Sequence, residues 1–426
     1  MINKLSIRNY KTINKLELEL GRVTVLIGEN GAGKSNILEA ISLAGAASSN
    51  KLDNEYLRLR GIRTSEPDLM RSAFSQKNET EDCSIYINVE SDKDGKADFK
   101  LTNDNKPFSS WECEIEIQNS EGSTPGLIDI LNNVYFSNSV SEKEKKESIS
   151  QLKELFSKLA DFKNQDKTKD EWEKYLKDNL LHSLSKNEVL TKYYINNKIQ
   201  LNDVTSALSK FIIYSPENSH LRSTEKSSSS IEPLGIKGEG LLKLVYILSN
   251  IENKKIIATV KENLKLLGWF SDFNVKSETS GYGLEIVDQY LKKTDCTFDQ
   301  DAANEGFMFL LFYFSLFASP ITPSFFAIDN IDTSLNPKLC QKLIQQLINL
   351  AKKQEKQVIL TTHNPSILDG LNLDDPEQKL YAVSRARNGQ TKASQILKPK
   401  SLEGAKEIRL SEMFLRGLIG GLPKGF

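Results

Sequence analysis

Cysteine is scarce in this chain and histidine scarcer. The cysteines are Cys83, Cys113, Cys296 and Cys340, and the histidines are His182, His220 and His363. No two cysteines form a CxxC pair and the histidines lie far apart, so the spacing argues against a zinc site or a disulfide framework. Thiols used this sparingly suit a reducing cytosol, and a cytoplasmic location is expected. Excess charge is also missing: 56 Lys and Arg oppose 57 Asp and Glu, a formal net charge of -1. No global positive field draws in nucleic acid, which leaves only a local basic groove for that purpose. The N-terminus, MINKLSIRNYK, lacks the apolar core of a signal peptide. One uncharged run, 307–328, is long enough to span a bilayer, but Pro320 and Pro323 interrupt it. It reads as a buried helix, a turn and a buried strand, with no membrane role.

The chain has 426 residues, 27% charged and 38% apolar, enough for two or three lobes with real cores. Its first part, 1–139, opens with two strands across 4–20 and an apolar β-branched run, VTVLI, typical of a buried parallel strand. A Gly-rich loop and a helix over 35–47 follow. CSIYINVE, ADFKLTN and ECEIEIQ then alternate at period two and predict an antiparallel β side lobe, to which NNVYFSN adds a further strand. The segment 140–210 is rich in Lys and Glu, with Leu152, Leu155, Phe156, Leu159 and Phe162 on one helical face. It reads as a charged helical insertion, either a solvated pair packed on the body or an arm for partner contact. Linking helices and a small β region are expected over 211–300. From 301 to 426 the order helix, strand, helix, strand predicts a mostly parallel α/β core. The motif LRGLIGGLP near the end reads as a helix and a tight turn, serving as a cap or as a docking element.

GENGAGKS, 28–35, fits GxxxxGK[ST] between a buried strand and a helix, the context that a phosphate-binding loop requires. Its glycines let backbone N–H groups turn toward phosphate oxygens. Lys34 supplies a positive charge, the Ser35 hydroxyl can ligate Mg²⁺, and the helix presents its positive end to the anion. Asp329 ends the apolar strand FFAID and brings a carboxylate to the sheet edge where such ligands bind. A second buried strand, QVILTTH, ends in His363. Alone, that histidine would more often be structural; with Asp329 and Lys34 it is a candidate for contact with the γ phosphate.

GENGAGKSN, FFAID, SLNP and QVILTTHNPSIL together resemble ABC-type ATPases of the SMC, RecF and OLD branch. Within it they look most like the stand-alone ATPases of bacterial anti-phage systems of the Septu, PARIS and AbiL kinds. YSPENSHLR, PLGIKGEGL and the tail LSEMFLRGLIGGLPKGF share that likeness, which is weak over 53–200. The resemblance implies a P-loop NTPase head of ABC type that binds ATP and Mg²⁺. By position it assigns Gly28, Asn30, Gly31, Ala32, Gly33, Lys34, Ser35 and Asn36 to the phosphate loop, and Asp329 with Ser35 to the metal. His363 becomes the switch histidine and 334–337 the loop that crosses a dimer interface. Gln76 is the candidate glutamine linking metal to side lobe.

Two departures stand out. Asn304, Glu305 and Gly306 replace the family's serine-glycine signature at a helix start, where Asn304 and Gly306 can still offer donors to the partner copy's γ phosphate. Glu305 would repel phosphate and is expected to point away. Asn330 stands where the family has its catalytic glutamate. An amide orients water but takes no proton from it, a loss of roughly a hundred- to ten-thousand-fold in general-base help. Slow turnover is therefore expected, with Asp332 two residues on as a second carboxylate.

The resemblance further implies an ATP-sandwich homodimer and a separate effector, a Toprim or HNH nuclease, because no acidic metal cluster is visible in the roughly sixty residues after His363. Nucleic acid or a phage protein is a further candidate partner. Three alternatives remain open: a RecF-like DNA-repair ATPase, a transporter motor disfavoured by the missing LSGGQ, and a nucleotide-bound scaffold that does not hydrolyse.

Overall fold

The computed structural model describes residues 1–73, 83–91, 95–106, 109–118, 203–224, 233–250, 254–277, 279, 281–291, 297–398 and 408–420. The strand expected at 132–138, Gln76 and nearly all of the charged insertion lie outside them.

In chain order, β1 (Ile2–Tyr10), β2 (Ile13–Glu19) and β3 (Val23–Ile27) lead to α1 (Lys34–Ser48). Next come β4 (Ile85–Ser91), β5 (Gly95–Thr102) and β6 (Glu112–Gln118). Then follow α2 (Asp203–Ser209), β7 (Ile213–Tyr214), α3 (Leu241–Asn250) and α4 (Lys255–Leu264). The hairpin of β8 (Phe270–Ser277) and β9 (Tyr282–Asp288) precedes α5 (Glu305–Ala318), β10 (Phe325–Ile328), α6 (Pro337–Lys353) and β11 (Gln357–Thr362). A 3₁₀ turn, Pro365–Gly370, precedes β12 (Gln378–Arg385), β13 (Thr391–Gln395) and α7 (Leu410–Leu415).

The antiparallel strands form a five-stranded sheet in the order β2-β1-β4-β5-β6. The expected side lobe thus takes in both opening strands. The second sheet runs β13-β12-β3-β11-β10-β7, parallel throughout except for the β12–β13 hairpin. Its central strands are buried along their whole length, as their unbroken apolar sequences predict. Alternate side chains feed two cores. Leu26, Ala327 and Ile359 face α1 and the antiparallel sheet, while Val25, Ile328 and Leu360 face α5 and α6.

Each helix shows its position in its sequence. α5 is apolar on every side, and all of it beyond Gly306 is buried. Among the described residues no helix is long and apolar enough to cross a membrane. α6 is amphipathic: Cys340, Leu343, Ile344, Leu347 and Ala351 repeat at helical spacing and face the core. Its start is marked by Asn336, whose side chain accepts from Leu339 N–H at 3.0 Å, and by Pro337 in the first turn. Every residue of α1 is buried except Ser35.

Candidate functional site

Parallel strands deliver their C-terminal ends to one edge. β11 lies between β3 and β10, so the loop after Ile27, Asp329 after β10 and His363 after β11 gather there. The loop is turned by Gly31 at φ 75° and Gly33 at φ 105°, conformations open to glycine at little cost. Asn30 and Gly31 are exposed at its tip, while Ala32, Gly33 and Lys34 are buried. The Lys34 Nζ donates to the carbonyls of Gly28 at 2.9 Å and Glu29 at 3.0 Å. Burial draws its pKa down to about 8, against the pull of Asp329, Asp332 and Glu29.

The Ser35 hydroxyl donates to Asp329 Oδ2 at 3.0 Å. Thr361, the penultimate residue of β11, donates its hydroxyl to Asp329 Oδ1 and accepts from Asn330 N–H at 2.9 Å. Thr362 donates to Asp332 Oδ1 at 2.6 Å. Two neighbouring threonines thus hold two carboxylates. A hydroxyl and a carboxylate side by side are hard oxygen donors of the kind Mg²⁺ takes. Among the described residues no group of three His, Cys, Asp or Glu could hold a metal ion.

Asn330 is exposed and sits at φ 57°. This left-handed position is one that Asn tolerates better than most residues. His363 is exposed beside the loop. Although the residue as a whole is exposed, its pKa is lowered by partial desolvation of the ring against the loop and then by Lys34, with Asp332, Asp329 and the Gly28 backbone opposing. It is therefore a neutral imidazole at neutral pH.

The start of α5 meets the loop 334–337. Asn304 caps α5 by accepting from Phe307 N–H at 2.8 Å. The Glu305 carboxylate turns sideways, accepting from Ser334 Oγ at 2.8 Å and Asn218 Nδ2 at 3.0 Å. Ser334 has φ 60°. A cavity of about 650 Å³ opens beside Asn304, Gly306 and Ser334, with Trp269 and Lys338 on its wall.

The sequence reading missed a cluster behind the loop. Glu39, buried in α1, accepts from Tyr10 Oη at 3.2 Å, from Lys11 Nζ and from Arg63 Nε at 2.6 Å. Arg63 Nη2 reaches Asn36 Oδ1 at 3.3 Å. Burial lowers the Arg63 pKa, but Glu39 and then Asp329 raise it above its ordinary value overall. A guanidinium held by a buried carboxylate therefore lies within the field of the candidate metal ligand. A charged residue inside a helix that is otherwise buried was the available signal.

The family described as "AAA domain, putative AbiEii toxin, Type IV TA system" matches residues 23–369, which include the loop, Asp329 and His363. The chain belongs to that family. An uncharacterized protein, MJECL10, of Methanocaldococcus jannaschii is 29% identical over 135 residues, 30% of this chain and 59% of that protein. The DNA replication and repair protein RecF of Bacillus thuringiensis is 40% identical over 60 residues, 14% of this chain and 16% of RecF. In each case the match spans less than two thirds of the relative. Among solved structures, an SMC head bound to the C-terminal winged-helix domain of ScpA aligns with 93% of this chain and 98% of its own, at 15% identity and a TM-score of 0.51. The fold is that of an SMC-like, ABC-type P-loop head.

Proposed function

We propose that this chain binds ATP with Mg²⁺, hydrolyses it slowly, and uses nucleotide-dependent pairing of two copies to control a separately encoded effector. The contact between Ser35 and Asp329 carries the reading: residues 294 apart in sequence put two hard oxygen donors 3.0 Å apart, beside Lys34. Backbone N–H groups of 31–35 hold the phosphates, Lys34 balances their charge, and Arg63 adds a second cation nearby. Bound Mg²⁺, held by Ser35 and Asp329, would neutralise phosphate charge. The Asn330 amide orients the attacking water, and Asp332, held by Thr362 Oγ1, is the second carboxylate at this edge. The neutral His363 donates to the γ phosphate.

Pairing is supported by the surface that α5 and the crossing loop share. Glu305 is engaged by Ser334 and Asn218, and Asn304 caps Phe307 N–H, leaving the N–H groups of Glu305 and Gly306, with the Asn304 side-chain amide, for a phosphate on the second copy. The family's description as a "putative AbiEii toxin" of a type IV toxin–antitoxin system supports a role in bacterial defence; the nuclease effector rests on the resemblance carried by GENGAGKSN, FFAID and QVILTTHNPSIL. The RecF-like segment favours a second reading, a DNA-repair ATPase; duplex binding that weakens steeply with salt would select it.

Sedimentation with and without ATP and Mg²⁺, alongside phosphate release, tests the proposal. A monomer that becomes a dimer with ATP, with turnover well below one per second, supports it. A mass that ignores ATP rejects pairing, and no phosphate release over hours reduces the protein to a nucleotide-bound scaffold.

A further inference from the structure

The hairpin of β12 and β13 lies beside the phosphate loop and holds two of its carbonyls. Arg385, the last residue of β12, donates from Nε to the Gly31 carbonyl at 2.8 Å, and its Nη1 donates to the Gly389 carbonyl. Thr391, the buried first residue of β13, donates from Oγ1 to the Ala32 carbonyl at 3.0 Å.

The Thr391 hydroxyl has one hydrogen, and Ala32 takes it. The 2.6 Å contact between Thr12 Oγ1 and Thr391 Oγ1 must therefore have Thr12 as donor. Thr12 in turn accepts from Asn36 Nδ2 at 2.7 Å, and Asn36 Oδ1 accepts from Arg63 at 3.3 Å. The bonds form one directed chain, from the Arg63 guanidinium through Asn36, Thr12 and Thr391 to the Ala32 carbonyl. Each donor in such a chain polarises the next.

A trans peptide points its C=O and N–H in opposite directions. Drawing the Ala32 carbonyl toward Thr391 turns the Gly33 N–H the other way, while Arg385 holds the Gly31 carbonyl, whose peptide partner, the Ala32 N–H, donates to the Glu29 carbonyl at 3.3 Å. Gly33 also leaves room for the arrangement: a Cβ there would lie 2.1 Å from Thr391 Oγ1 and 2.9 Å from Thr12 Oγ1. We infer that Thr391 and Arg385 are positioning residues: Thr391 aims the phosphate-binding amide of Gly33 away from the hairpin, and Arg385 fixes the turn of the loop at Gly31. Thr12, in the β1–β2 turn, ties this setting to the antiparallel lobe.

The inference rests on the loop binding nucleotide phosphates, as proposed above. Calorimetric titration of Thr391→Val and Arg385→Gln with ATP and with ADP tests it, with melting temperatures as the check on folding. Thr391→Val keeps the side-chain shape and removes both hydroxyl bonds. Its affinity for both nucleotides should fall about five- to tenfold, the scale of one or two hydrogen bonds. The maximal rate at saturation should stay within about twofold, as for lost ground-state and transition-state binding alike. Thr391→Ser should restore affinity, and Arg385→Gln should weaken it independently. Folded Thr391→Val and Arg385→Gln proteins that both bind like wild type overturn the inference. A wild type whose ATP affinity is absent, or unaltered by Lys34→Ala, overturns the underlying function and the inference with it.

Discussion

Asn330 joins the backbone and the chemistry at one residue. Its φ of 57° suits an asparagine, and its place after Asp329 suits a water-orienting group. Asn330→Glu should raise turnover by at least tenfold, because a carboxylate can take the proton. The same change should cost roughly 1 kcal/mol of stability, since a left-handed backbone disfavours the longer side chain. Steady-state phosphate release and thermal unfolding check the two effects separately; a faster rate with no loss of stability would sink the backbone argument. His363 offers a pH test. Burial and Lys34 hold its pKa below the usual 6.5 in the free protein, so its neutral form favours folding above that pH. The benefit is lost as pH falls through the folded pKa. Bound phosphates should raise that pKa, and an NMR titration with and without ATP and Mg²⁺ should show the His363 midpoint rising. A midpoint that does not move would place the ring away from the phosphates.

At the level of elements, the close fit of α1 against α2 turns on Gly45. A Cβ there would lie 2.3 Å from the Leu208 carbonyl oxygen. Gly45→Ala gains about 1 kcal/mol of helix propensity. It also forces two backbones apart, at a cost of about 1–3 kcal/mol. The net expectation is a loss of stability despite the better helix former, read from denaturant unfolding; a stabilised variant would mean that the helices separate at little cost. Most elements around the site could be read in the sequence, because each has a period or a boundary of its own. VTVLI, FFAI and QVILTT are unbroken apolar strands, and Asn336-Pro337 marks a helix start. The β12–β13 hairpin was missed although Asn388-Gly389 lies between its strands, with Gly389 at φ 82°. β7 is a two-residue edge strand, Ile213–Tyr214, paired with Ala327 and Ile328 of β10. Glu39, Arg63 and Thr12 could not be foreseen together, since only the folded chain brings the β1–β2 turn to α1.

At the scale of the whole molecule, two sheets close on α1 from opposite sides, and the site lies where the parallel sheet ends. The β1–β2 turn, the loop, β10 and β11 each contribute to it, so the candidate site takes residues from both sheets. The same edge carries the Asn304–Ser334 surface through which a second copy would reach the nucleotide. All of this depends on a triphosphate bound at Lys34 and Asp329, and calorimetric titration of the full chain with ATP, with and without Mg²⁺, is the most direct test. Wild type should bind ATP more tightly with Mg²⁺, Lys34→Ala should abolish binding, and Asp329→Ala should bind without regard to Mg²⁺. A wild type with no affinity for ATP, or a Lys34→Ala protein that binds as well as wild type, would contradict it.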